Sequence, residues 1–145
     1  SNLERFSLGY RFETDVIRIK INKTCSFEQA YSVLQAIILS ACTKLNIDNT
    51  EIAGCLQYCA DGVFYYVLYD TTPGGAGHVK RLNSKEMIEK VLSGAYVKAK
   101  NCTCGGEEGD SSCYSCLRTY QNQRHHDIIK RKYVVAFLSE MNELK

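Results

Sequence analysis

The chain has 145 residues, 45% of them apolar and 23% charged, with a formal net charge of +2. That is the size of one domain with a single core. No apolar run approaches the roughly 18 residues of a membrane span. No secretory signal follows Leu3-Glu4-Arg5, so the chain is expected in a reducing, cytoplasmic compartment. Ser1-Asn2 reads as a scar of tag cleavage, which fits a domain taken from a longer protein.

Phe6, Leu8, Tyr10 and Phe12 alternate with small or polar neighbours, and Ile17, Ile19 and Ile21 alternate on the opposite parity. The flip predicts a bulge, a turn or a break between two strands around Glu13-Thr14-Asp15. Ser26, with Gln29 three residues on, predicts a capping box. The helix that follows carries Phe27, Ala30, Tyr31, Leu34, Ile37, Ile38, Ala41 and Leu45 at helical spacing. Asn46 to Gly54 is turn-like. Two strands, Leu56 to Cys59 and Val63 to Asp70, flank the hairpin signal Asp61-Gly62. The second, VFYYVLYD, is apolar on both faces and is expected to be covered on both sides.

Next comes YDTTPGGAGHVKRL, which holds the single proline and three glycines. It reads as strand, Asp70, turn, then a helix opening near Gly77. Amides exposed at a helix start favour an anion, so Gly74, Gly75 and Gly77 are an anion candidate, with Lys80 and Arg81 adding attraction. The alternative is a close-packed connection in which Asp70 caps the loop. No GxxxxGK[ST] phosphate loop is present. Asn83 and Glu86 predict the cap of another helix, with Ile88, Val91, Leu92, Ala95 and Ala99 on one face. A last helix after Asp127 carries Val134, Phe137, Leu138, Met141 and Leu144. The order of strands, helix, strands and helices predicts an α+β domain: a small antiparallel or mixed sheet packed with about four helices.

Cys102-Thr103-Cys104 and Cys113-Tyr114-Ser115-Cys116 place four cysteines within fifteen residues. Two close pairs of soft thiolates form a tetrahedral zinc site without an open position. The spacer GGEEGDSS holds three glycines and folds back to present the second pair. A redox CxxC would leave Cys102 and Cys104 unexplained. The compact zinc loop is taken as about 101–118, with the metal structural. Cys25, Cys42, Cys55 and Cys59 read as core, with Cys55 and Cys59 on one side of a strand. Residues 1–77 carry six Lys/Arg against eight Asp/Glu, and residues 78–145 carry twelve against eight. Arg118, Arg124, His125, His126, Lys130, Arg131 and Lys132 crowd the stretch after the zinc loop. They are candidates for a phosphate-facing surface, with Tyr114 and Tyr120 as stacking partners.

Three stretches together resemble the zinc-binding domain at the C-terminal end of MrfA-type bacterial DEAD/DEAH-box helicases, a family long known only as a domain of unknown function. They are Thr14-Asp15-Val16, the run Tyr69-Asp70-Thr71-Thr72-Pro73-Gly74-Gly75-Ala76-Gly77, and the cysteine segment continuing into Leu117-Arg118-Thr119-Tyr120-Gln121-Asn122-Gln123. The resemblance implies that Cys102, Cys104, Cys113 and Cys116 ligate zinc. It further implies a non-catalytic accessory domain spanning 1–145, whose partners are the helicase core of its parent chain and DNA, in a bacterial protein acting in DNA repair or phage defence. The chain itself has no Walker A lysine and no DEAD/DEAH box. Two rival readings are a metal-dependent nuclease or hydrolase site built from Asp15, Asp70 and His78 at strand ends, with Glu13 beside them, and a protein-interaction module.

Overall fold

The computed structural model describes residues 2–8 and 12–143. Its strands are β1 (Asn2–Leu8), β2 (Phe12–Ile21), β3 (Ile52–Ala60) and β4 (Val63–Asp70). Its helices are α1 (Phe27–Leu45), α2 (His78–Arg81), α3 (Lys85–Asn101) and α4 (Arg131–Glu143), with a 3-10 turn at Gln123–His125. The four strands form one antiparallel sheet in the order β1-β2-β4-β3. This is the expected α+β class, with the sheet wholly antiparallel. Among the described residues no helix is long and apolar enough to cross a membrane.

Ile17, Ile19 and Ile21 of β2 and Phe64, Tyr66 and Leu68 of β4 point to one face of the sheet and are buried. Their spacing of two places them together. α1 covers that face and is in turn packed by α3 and α4. It therefore buries residues around most of its circumference, from Ala30 to Leu45. Burial of each Leu, Ile or Val here contributes about 1.5–3 kcal/mol.

Several sequence expectations shift. Glu13-Thr14-Asp15 lies inside β2, and Phe12 and Ile17 share one continuously paired strand. Tyr10 lies outside the described residues. Ser26 caps α1 by accepting from the Gln29 amide. The Gln29 side chain reaches toward α4, where its Nε2 donates to the Tyr133 carbonyl. Phe27 is 54% exposed, not core.

α1 ends at Asn46, left-handed at φ 57°, and the supposed turn over 46–54 already contains the start of β3. Asp61 (φ 52°) and Gly62 (φ 77°) make the primed hairpin turn that the sequence predicts. Strand β4 is central, and on its outer face Val67 is buried. Its outer residues Tyr65 and Tyr69 are half-buried, and Arg18 and Lys20 lie over the Tyr65 ring. A register shift at Tyr58/Ala60 breaks the even spacing of Cys55 and Cys59, and both are exposed, contrary to the core reading. Ser84, not Asn83, caps α3. In α4, Val134, Phe137 and Leu138 are buried as expected; the side chains of Met141 and Leu144 lie outside the described ones.

Candidate metal centre

α3 delivers the first ligand pair. Its C-cap is Cys102, whose amide donates to the Lys98 carbonyl. The chain then turns through Gly105 and Gly106, both at positive φ, a geometry that glycine adopts freely. Cys113 to Cys116 forms a tight knuckle: the amides of Cys116, Leu117 and Arg118 all donate to the Cys113 carbonyl. The Cys113 amide points at the Cys116 sulfur, 3.3 Å away.

The four sulfurs lie within 4.8 Å of one another. Cys102 and Cys113 are 3.6 Å apart, Cys104 and Cys116 3.7 Å, and Cys113 and Cys116 3.8 Å. Four thiolates about 2.3 Å from a tetrahedral zinc stand about 3.8 Å from each other, so the set fits that ion. Among the described residues this is the cluster of His, Cys, Asp and Glu side chains close enough to hold a metal.

The electrostatics are those of a crowded, partly buried thiol cluster. Burial pushes the Cys104 thiol up, with Cys102 adding to the effect. Burial pushes Cys116 up further, well beyond the ordinary thiol range. At Cys113 burial is outweighed by the Ser115 amide and the neighbouring thiols, leaving it at about 7. Four thiolates cannot crowd together uncompensated. A divalent ion held there would supply the compensating charge.

Arg131 was expected on a phosphate-facing surface. It is 5% exposed and turned inward. Its Nε and Nη2 donate to the Cys104 carbonyl at 2.9 and 2.6 Å, its Nη1 to Ala99 at 2.9 Å, and its Nη2 also to Gly106 at 2.8 Å. Its amide donates to the Ser111 carbonyl. The first residue of α4 therefore clamps the end of α3 and the metal loop. Lys130 and Lys132 both pair with Asp110, at 2.9 and 3.0 Å. Arg118 Nε donates to Ser112 Oγ. Most of the basic run thus holds the loop in shape, which a count of charges could not reveal. Arg124 and His125 remain exposed. His125 packs edge-on to Tyr31, and His126 Nε2 sits 3.0 Å from the Thr119 carbonyl and 2.9 Å from Asn122 Oδ1; neither belongs to the metal cluster.

The glycine loop has an internal anion. Asp70 is fully buried, and its carboxylate accepts from the amides of Ala76, Gly77 and Val79 at 3.1, 3.0 and 3.2 Å. Gly74, Gly75 and Gly77 all have φ 85°. A Cβ on Gly75 would come within 3.3 Å of Asp15 Oδ2 and 3.5 Å of Asp70 Oδ2. The amides of Gly75, Ala76, Gly77 and Val79 are therefore taken, which corrects the anion-site expectation. Lys80 leans on Asp15 at 3.6 Å, and α2 is a single turn. Asp15 and Asp70 are neighbours, but His78 turns away to Glu51 at 3.0 Å, so the three do not assemble the proposed hydrolase site. We expect Asp70→Asn to destabilise the domain by about 3 kcal/mol, because its amide group meets backbone donors head-on. Urea unfolding checks this, and an unchanged midpoint would refute the cradle.

The MrfA Zn-binding domain family model matches residues 33–117, more than half of the chain and all four clustered cysteines. Druantia protein DruE of Escherichia coli (strain UMEA 4076-1) is 24% identical over 156 residues, covering 93% of this chain and 8% of DruE. The crystal structure of the helicase MrfA bound to DNA shares the fold at a TM-score of 0.55 and 17% identity, covering 89% of this chain and 17% of that one. The chain thus spans a small fraction of the length of either relative.

Proposed function

This chain belongs to the MrfA Zn-binding domain family, and from that premise we propose that it is the zinc-stabilised accessory domain of an ATP-dependent nucleic-acid helicase or translocase. Cys102, Cys104, Cys113 and Cys116 would hold the ion. The observation that carries this reading is the sulfur cluster itself, placed where the end of α3 meets the start of α4. Bound zinc supplies a four-way crosslink and no reactive position, since a closed thiolate set leaves no site for water. The crosslink fixes a loop whose own residues bury little: Glu107, Glu108 and Asp110 are exposed. Metal affinity then becomes folding free energy for this region. The sequence has no nucleotide-binding lysine loop, so ATP hydrolysis belongs to the rest of the parent protein, in the cytoplasm.

The test is made in the parent. Cys113→Ser in the longer protein is expected to reduce DNA-stimulated ATPase and unwinding while leaving nucleotide binding in place. Full unwinding by a zinc-free variant would overturn the accessory role.

A further inference from the structure

A groove of about 600 Å³ runs between α1 and α3, a size that suits the side chains of a second molecule. Gly94 is its floor. A Cβ there would stand 2.7 Å from Ser40 Oγ and 3.0 Å from Lys44 Cε, so α3 offers bare backbone to α1 at this point. Ser40 turns inward and donates to the Val91 carbonyl at 2.6 Å. Lys44 lies across the contact, with its Nζ 3.5 Å from where that Cβ would be. Val97, about one turn beyond Gly94, lines the groove and is 47% exposed. Lys44, Lys90 and Lys98 line it too, with Glu86 and Glu89 towards the start of α3. Lys90 pairs with Glu86 at 3.2 Å, and both are well exposed, so the pair contributes about 0.3–0.5 kcal/mol.

This face is basic in its own right. α3 holds four lysines against two glutamates, and Lys44 adds a fifth lysine from the last turn of α1. The charge is not spread evenly. Glu86 and Glu89 lie in the first half of α3, and Lys98 lies in its last turn. We propose that the groove docks an amphipathic helix of a partner protein, with acidic residues over Lys44 and Lys98 and an apolar stripe over Val97 and the Gly94 floor. A helix laid between two helices fits its side-chain ridge into their groove. The wall from Glu86 to Lys98 is about 18 Å long at 1.5 Å per residue, roughly three turns of such a helix. Charge complementarity favours an acidic polypeptide over a nucleic-acid strand. A strand carries negative charge at every step. It would meet Glu86 and Glu89 and leave Val97 without an apolar partner. A helix can set a neutral or basic residue at that end. The proposal does not depend on the accessory-domain reading.

The probe is a fluorescein-labelled helical peptide about five turns long, built of alanine, leucine at helical spacing and glutamate, with lysine in its last turn. The comparison peptide carries lysine in place of each glutamate. Binding to the zinc-loaded chain is read by anisotropy. The acidic peptide is expected to bind at least tenfold more tightly than the basic one. Lys44→Glu with Lys98→Glu is expected to weaken it roughly tenfold, and Val97→Asp by a similar factor. Circular dichroism should not change, since all three side chains are exposed. Lys20→Glu, the same change of charge on β2, should leave binding as it was. The amide resonances of Ser93 to Lys98 should move with the peptide, and those of Cys102 to Cys116 should stay. An acidic peptide that does not bind, groove variants that bind normally, or an equal loss in Lys20→Glu would overturn the proposal. So would an oligonucleotide that moves the same resonances and displaces the peptide, which would give the face to nucleic acid.

Discussion

Cys116→Ser is expected to empty the metal site. Cys116 is 2% exposed and lies within 3.8 Å of both Cys104 and Cys113. A serine hydroxyl is a poor substitute for a thiolate, and structural zinc sites carry about 10–16 kcal/mol of apparent binding free energy at neutral pH. The loss should be local first. The turn before the Cys113–Cys116 knuckle is largely exposed, whereas α1, α3, α4 and the sheet share a continuous core that the knuckle joins through Cys116 and Leu117. Zinc per chain should fall to near zero. Amide exchange should accelerate over residues 102–118 and spare β2, β4 and α1. Retained stoichiometric zinc, with protection of the loop intact, would remove Cys116 from the ligand set.

Arg131→Met should be nearly as damaging without touching a ligand. The guanidinium satisfies the carbonyls of Ala99, Cys104 and Gly106 from a buried position. Methionine fills some of the volume and takes the guanidinium away from the Ala99 and Cys104 carbonyls, while Gly106 keeps the Gly109 amide. Charge-assisted bonds contribute about 1.5–3 kcal/mol each, and the bond to the Ala99 carbonyl is buried, so a total of about 3–5 kcal/mol is expected. Arg131→Lys keeps the charge but has one nitrogen in place of a fork. It should recover only part of the loss. The urea midpoint and the rate of zinc release to a chelator are the readouts, and both should move together. A stable Arg131→Met protein that holds its zinc normally would show that the clamp is incidental.

These two residues also mark what the sequence could and could not reveal. The cysteines were legible because ligand chemistry constrains both residue type and spacing. The sheet and α1 were legible because burial imposes periods of two and of 3.6 along Ile17 to Ile21 and Ala30 to Leu45. Arg131 was not legible. In the sequence it is one of five basic residues between Ser112 and Tyr133. Only the fold sets Ala99, Cys104 and Gly106 around it. The glycine loop was half legible: a helix start beside three glycines fits an anion, but the anion is Asp70, from the strand before it. Cys55 and Cys59 were misplaced because an edge strand exposes what a central strand would bury, and the bulge near Tyr58 cannot be seen in spacing alone. Gln29 has the right spacing for a capping box, and its reach to the Tyr133 carbonyl of α4 shows only in the fold.

The most direct test of the account is X-ray absorption at the zinc edge, on purified protein whose metal content has been assayed. The account predicts one zinc per chain in a shell of four sulfurs at about 2.3 Å, with one sulfur lost on replacing Cys102, Cys104, Cys113 or Cys116. A protein without metal, or a shell of nitrogen and oxygen unaffected by these substitutions, would contradict it.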